Sequence, residues 1–354
     1  MAGALRSRGA PHRVESSTRV NAFEGFTEAK NPGLPQTNED QIVVVPGAGF
    51  AVIDGATDIT GKRFDDRLGA GATGGRLAAM AIAEAFRALF SVPATLHAPG
   101  DLAAAATRAV AALYDRLGLS ALTAASGDHR FRAGFVAAYS DGETLRLVKV
   151  GDCGIRIDGR EILSAVFPGD VVLSAARAHA FAILKDRGAD AATARTAARS
   201  LIVNGLAART TPPEGLSAAD IAYIRALVGS DAEASAAVLG DQHRLTTILD
   251  AGLSGIRHDP AAYNALVIDG VDDVTPVIRS LDVPQSDWSL IELHSDGYPV
   301  APSATGIAAW EEALAEADRV DPERVGPHRS TKGRIGGNFG DDRSIVVISK
   351  GRGR

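Results

Sequence analysis

With 354 residues, 45% of them hydrophobic and 23% charged, the chain has the composition of a soluble globular protein with ample length for a substantial core. A net charge of −6 offers no basic footprint for nucleic acid, and a single cysteine excludes an intrachain disulfide framework and fits a reducing cytoplasm. No uncharged apolar run approaches the ~18 residues of a membrane span, so neither a membrane nor nucleic acid is an expected partner.

Residues 1–18 are polar and basic, with Arg6, Arg8 and Arg13 and no apolar run of the signal-peptide kind; they read as a disordered lead to a domain over 19–354. Val20 to Phe26 reads as a first strand. Two apolar runs, 42–45 and 50–53, are joined by Pro46-Gly47-Ala48-Gly49 and predict a hairpin. Folding that hairpin brings Glu39 and Asp40, which enter it, beside Asp54, which leaves it. Like charges so close raise one another's pKa unless a cation lies between them. Asp54 directly follows Phe50-Ala51-Val52-Ile53, which puts it at the rim of a core.

Ala56–Asp66 reads as a polar loop holding Asp58, Lys62, Arg63, Asp65 and Asp66. Gly74-Gly75 then opens a helix to Phe90, with Leu77, Ala81 or Ile82, Phe86 and Leu89 at helical spacing. The glycines before it lack the Gly-Lys-Ser/Thr of a phosphate-cradling loop and suit close packing of helix on sheet. Asp101 caps a second helix over 102–117, and Gly118 stops it. Phe131–Tyr139 with Thr144–Val150, and 155–157 with 161–163, make two further hairpins around Ser140-Asp141-Gly142-Glu143 and Asp158-Gly159. Successive hairpins mean antiparallel sheets, and paired helices between them mean a covering layer. The predicted class is therefore α+β, a four-layer α-β-β-α sandwich.

From about 170 to 262 alanine becomes dense and strand-like runs vanish, which predicts a helical insertion flanking the chemistry rather than supplying it. Tyr263–Asp269 and Leu290–His294 return to strand, 307–318 is a short helix, and 344–349 closes the sheet. The stretch 326–340, between that helix and the closing strand, is rich in Arg, Lys and Gly.

Aspartates recur at strand ends: Val150-Gly151-Asp152, Ser295-Asp296-Gly297 after Leu290–His294, and Asp341-Asp342 before Arg343. Glycine beside them lets backbone approach a ligand. Oxygen donors without Cys or His point to Mg²⁺ or Mn²⁺ rather than zinc. Taken in order, Asn38-Glu39-Asp40, Asp54-Gly55, Val150-Gly151-Asp152, Ser295-Asp296-Gly297 and Asp341-Asp342-Arg343-Ser344 resemble the motifs of the metal-dependent protein phosphatases (PPM type, type 2C), across residues 38–348.

That resemblance implies a binuclear centre bridged by Asp54, with Glu39 and the Gly55 carbonyl on one ion and Asp296 and Asp341 on the other. Asp40 would hold the waters on the metals, and Asp152 would share a weaker third ion with Asp296. The catalytic set would be Asp40, Asp54 and Asp296, acting through a water between the ions on a phosphoprotein or a small phosphoester. Cys153 is then a packed thiol, not a nucleophile. Two positions depart from the family. Ala56 stands where a general-acid histidine is common, and Pro35 where an arginine commonly clamps the phosphate. Losing the acid slows substrates with poor leaving groups by ~10²-fold or more. Lys30, Lys62, Arg63, Lys332 and Arg334 are candidate replacements for the clamp, and His294 for the acid. The leading expectation is a protein serine/threonine phosphatase. The alternatives are a phosphatase of small phosphorylated metabolites and a non-catalytic module of the same fold, in which so many unneutralised carboxylates would be a standing cost.

Overall fold

Strand periodicity sets this architecture, because alternate residues of each central strand face two different cores. The computed structural model describes residues 22–56, 63–66, 69–92, 97–141, 143–164, 166–207 and 211–350. The basic lead 1–18, Asp58 and Lys62 of the polar loop, and Gly142 of the second hairpin turn lie outside the described residues. The chain runs through Ala22–Glu28 (β1), Gln41–Val45 (β2), Gly49–Gly55 (β3), Phe64–Asp66 (β4) and Gly69–Ala72 (β5) into helices Gly74–Phe90 (α1), Pro99–Leu117 (α2) and Ser120–Ala125 (α3). Strands Ala133–Ser140 (β6), Thr144–Val150 (β7), Gly154–Ile157 (β8) and Arg160–Leu163 (β9) follow. Then come Pro168–Asp186 (α4), Ala191–Asn204 (α5), Ala218–Ser230 (α6), Ala232–Ala237 (α7) and Gln242–His258 (α8). Arg279–Pro284 (β10), Leu290–His294 (β11), Ile307–Val320 (α9) and Arg343–Ser349 (β12) complete it.

Two antiparallel five-stranded sheets result, ordered β1-β12-β11-β8-β9 and β10-β7-β6-β3-β2. Phe50 and Val52 of β3 and Val136 and Ala138 of β6 face the other sheet and meet Leu293, Val346 and Ile348. Ala51, Ile53, Phe135 and Ala137 point the other way, onto Ile82 and Phe86 of α1 and Val110 of α2. On the far side Ile345 and Val347 of β12 pack against Trp310 and Leu314 of α9. The layers are therefore helix, sheet, sheet, helix, as the hairpin pattern predicts. Close helix–sheet packing explains the glycines: a Cβ on Gly75 would collide with the Ala56 carbonyl oxygen, and one on Gly55 would meet the Gly75 oxygen at 2.6 Å.

The structure differs from the sequence expectations in four places, the first being α2, which starts at Pro99 and holds Asp101 inside its first turn, where the carboxylate accepts from the Ala98 amide at 2.8 Å. Tyr263–Asp269 is not a strand: only Ile268 pairs, in an isolated bridge with Ala133. The run starts inside a turn, where the amides of Tyr263 and Ala265 donate to the Pro260 carbonyl and that of Asn264 to Ala261, with Asn264 at a φ of 53°. Past Ile268, Asp269 Oδ1 accepts from the amides of Val271 and Asp272 and turns the chain again. The unforeseen β10, Arg279-Ser280-Leu281-Asp282-Val283-Pro284, is a mostly exposed edge strand in which only Val283 is buried. The end of the polar loop is also ordered, with β4 paired to β5.

Residues 168–258 fold about a core of their own, with Val172, Leu173, Leu201, Ile224, Leu245 and Ile248 buried together. Arginines fasten this unit to the loop after α9. Buried Arg177 donates to the carbonyls of Glu323, Arg324 and Ser330, Arg195 pairs with Glu323, and Arg329 pairs with Asp231 at 2.6 Å.

One buried charge pair fixes α9 to its sheet. Glu292 accepts from Trp310 Nε1 and Gly306 N, both at 2.9 Å, and faces Arg156 Nη1 at 3.2 Å without hydrogen-bond alignment. Glu292→Leu leaves the Arg156 guanidinium buried without its counter-charge. We expect a loss of about 3 kcal/mol in urea unfolding; a loss below about 1 kcal/mol would mean the pair does not hold this layer.

Candidate metal centre

The strand ends carry the acids to one edge of both sheets. Gln41 pairs with Ile53, so Asp40 and Asp54 are neighbours at the open end of their hairpin. Asp54 lies opposite Gly134, and Phe135 opposite Val150, which brings the turn to Asp152 alongside. A Cβ on Gly134 would approach Asp152 Oδ1 to 3.1 Å, so glycine is what the register allows there. In the facing sheet His294 pairs with Ile345, placing Asp296 beyond β11 and Asp341-Asp342 before β12. Ser295 and Ser344 bind this edge: the Ser344 amide donates to Ser295 Oγ at 2.9 Å and the Ser295 amide to the Ser344 carbonyl at 3.0 Å.

Burial and mutual repulsion govern the electrostatics. Asp40, Asp54, Asp152 and Asp296 are all pushed up from the ordinary carboxylate range, first by burial and then by neighbouring carboxylates. Asp40 is 2% exposed, and its Oδ2 has no hydrogen-bond partner among the described residues. Asp341 behaves oppositely: burial pushes it up, but Lys332 and Lys30 outweigh that and hold it down. Glu39 is engaged at both oxygens, by Lys30 Nζ at 2.6 Å and by the Thr73 hydroxyl. Asp342 takes the Lys30 ammonium at 3.2 Å and the Lys30 amide at 2.7 Å.

A cleft of about 420 Å³ opens over the acids, lined among others by Asp54, Gly55, Asp152, Asp296 and Asp341. Asp170 from the first turn of α4 and Arg199 from α5 also line it. Asp170 is pushed up to about 6 by burial and by Asp296, against the pull of Lys332 and Arg199. Arg199 donates to the Thr331 carbonyl at 2.9 Å. Sequence reasoning passed over both. Asp170 follows Pro168-Gly169, which reads as a helix start, and Arg199 sits in an alanine-rich run where only its approach to the 321–334 loop marks it.

The remaining candidates are placed as follows. His294 is buried against Trp310, with ring centroids 4.4 Å apart, and burial lowers it to about 4, so the ring is neutral at ordinary pH. Cys153 is wholly buried and its thiol is pushed up, by burial first and then by Asp54. Pro35 begins one 3₁₀ turn, and Arg334 stacks near Phe339 and faces Asp318 rather than the acids.

The donor set suits a hard divalent ion: all oxygen, deeply placed, with an unpartnered Asp40 oxygen. The acids stand somewhat apart, for among the described residues no three His, Cys, Asp or Glu side chains gather closely enough to hold a metal as they stand. The Glu39 and Asp341 end is instead filled by lysine. No helix of the described residues is long and apolar enough to cross a membrane.

No family model matches the chain, and no curated relative matches it. Among solved structures it is similar to the serine/threonine phosphatase PstP/Ppp of Mycobacterium tuberculosis, at 16% identity and a TM-score of 0.44, over 94% of this chain and 100% of that one. It is also similar to the catalytic domain of the serine/threonine phosphatase PstP in complex with two manganese ions, at 13% identity and a TM-score of 0.44, over 93% and 98%. For the Staphylococcus aureus serine/threonine phosphatase Stp1 the values are 12% and 0.43, over 99% of each chain. At these identities and TM-scores none of the three decides the chemistry of this chain.

Charge relief gives a direct test of the cluster. In metal-free protein, Asp54→Asn keeps the side chain's shape and removes one mutually repelling charge. We expect the melting temperature in EDTA to rise by about 2 °C or more. A fall would mean that Asp54 is held by a favourable partner rather than opposed by its neighbours.

Proposed function

We propose that the chain is a metal-dependent phosphomonoester hydrolase, acting on phosphoserine or phosphothreonine in proteins. The observation that carries this reading is the convergence of Asp54, Asp152, Asp296 and Asp341 on the floor of one cleft whose wall carries Arg199 and Lys332. Acids below and cations beside them are what a phosphoryl dianion needs once the acids are charge-compensated. Mg²⁺ or Mn²⁺, held by Asp54, Asp152, Asp296 and, with lysine displaced, Glu39 and Asp341 and the Gly55 carbonyl, would activate water and neutralise phosphoryl charge.

The chain's own groups do the rest. Asp40, whose backbone amide donates to Asn38 Oδ1 at 2.9 Å, keeps a buried Oδ2 without a hydrogen-bond partner among the described residues, beside Asp54 at the hairpin end, where it would orient a water held by the acids. Arg199 has one carbonyl partner and further N–H donors for phosphoryl oxygens. Ala56 on the cleft wall offers the leaving oxygen no proton, and neutral His294 is a poor substitute. The rate should therefore depend steeply on the leaving group.

A second reading, hydrolysis of a small phosphorylated metabolite, is favoured by the cleft's inner walls. Phe167, Val171, Leu253 and Ile256 of the inserted unit line it with apolar surface that suits a small organic group.

Hydrolysis of p-nitrophenyl phosphate should require added Mn²⁺ or Mg²⁺ and stop in excess EDTA; full activity in EDTA would remove this chemistry. Asp54→Asn and Asp296→Asn should each lower kcat by ~10³-fold or more, whereas Cys153→Ser should be nearly silent. Parallel rates on phosphopeptides and small esters separate the two substrate readings, since a metabolite enzyme should leave the peptides almost untouched.

A further inference from the structure

We propose that Lys30 and Lys332 are built-in competitors for one of the two divalent cations, so that the chain holds one cation tightly and the second only when a lysine ammonium withdraws. The proposal rests on the metal-dependent reading of the site and concerns how it is loaded.

The two ends of the acid cluster differ. At one end Asp54, Asp152 and Asp296 line the cleft together, and Asp40, beside Asp54 at the open end of its hairpin, has an Oδ2 buried without a hydrogen-bond partner among the described residues. At the other end the chain has supplied its own cations. Lys30 Nζ reaches Glu39 Oε2 at 2.6 Å and Asp342 Oδ2 at 3.2 Å. Lys332 Nζ contacts Asp341 Oδ2, and the other oxygen, Oδ1, accepts the Asp342 amide at 3.1 Å. An oxygen shared with an ammonium is a weaker metal ligand, and a divalent ion brought beside that ammonium is repelled by it.

Neither contact is a loose surface encounter. The Lys30 backbone is fixed at both polar atoms, its amide on Asp342 Oδ1 at 2.7 Å and its carbonyl accepting from the Phe339 amide at 2.7 Å. Lys332 stands in the loop that Arg177 and Arg199 fasten to the inserted helices. Both ammonium arms nonetheless keep a way out, because the side chains are 28% and 27% exposed. A lysine can thus leave the acids for water, or for a phosphoryl group in the cleft, when a second cation arrives. Among the described residues no lysine or arginine pairs with Asp54, Asp152 or Asp296 in this way, so the first cation meets no such competitor there.

The test counts bound Mn²⁺ on the metal-free full-length chain by isothermal titration and by the electron paramagnetic resonance signal of free Mn²⁺. Wild type should bind one equivalent tightly and a second at least ~10-fold more weakly. Lys332→Met should tighten the second equivalent by ~10-fold or more, and Lys332→Arg, which keeps the charge, should leave the wild-type pattern. Lys30→Met should act in the same direction, and Lys332→Met carries the test by itself should that variant fail to fold. Two equally tight equivalents in wild type, no bound Mn²⁺, or a second affinity unmoved in Lys332→Met would each overturn the proposal. Binding is counted without turnover, so the failure of the hydrolase reading would show separately, as wild type that binds Mn²⁺ but does not cleave p-nitrophenyl phosphate.

Discussion

Repulsion among carboxylates gathered at the strand ends, Asp40 buried and Asp54, Asp152 and Asp296 half-buried, is the constraint on which this structure turns. Asp40, Asp54, Asp152 and Asp296 are each pushed towards protonation by burial and by one another, a standing cost for a fold that gained nothing from it. The sheets are built to bear that cost. Asp54 and Asp296 sit at the ends of strands whose inner residues are wholly buried, Val52 and Ile53 before Asp54 and Leu293 before Asp296. The cores on both faces of the sheets hold the strand ends in place against the repulsion. Lys30 and Lys332 offset it at one end only, which leaves the other as the place where an added cation gains most.

The acids were legible in the sequence because strand ends are. Alternating apolar runs ending in Asp-Gly or beginning after Asp-Asp mark both the element and its terminus. Asp40 and Asp54 could be placed together from hairpin connectivity alone, and the four-layer arrangement was read from the successive hairpins, whereas the seat of Asp152 beside them needs the pairing of β3 with β6, which no hairpin connection gives. What connectivity could not give was the partners of each acid. That Lys30 rests on Glu39 and Asp342 depends on the pairing of β1 with β12, elements at opposite ends of the chain, which sets Glu28 opposite Arg343. The irregular run ending at Ile268 and the polar edge strand β10 were hidden for a different reason. One has strand composition but begins inside a turn at Pro260–Ala265, and the other has strand conformation but mostly exposed residues that packing does not select.

The inserted helices were visible as a change of composition, and their relation to the site was not. They carry their own core, yet Asp170 and Arg199 reach the cleft and three arginines tie the unit to the loop bearing Lys332. Helix propensity explains why alanine-rich sequence folds here, but not why single charged residues within it point at the acids. Those contacts make this helical unit part of the cleft wall.

Anomalous scattering at the manganese edge from crystals of the protein grown or soaked with Mn²⁺ tests the central claim most directly. The account predicts a strong peak among the Asp54, Asp152 and Asp296 side chains, weakened or lost in Asp54→Asn. Crystals whose cleft floor shows no manganese among those three residues, at Mn²⁺ concentrations that support turnover, would contradict it.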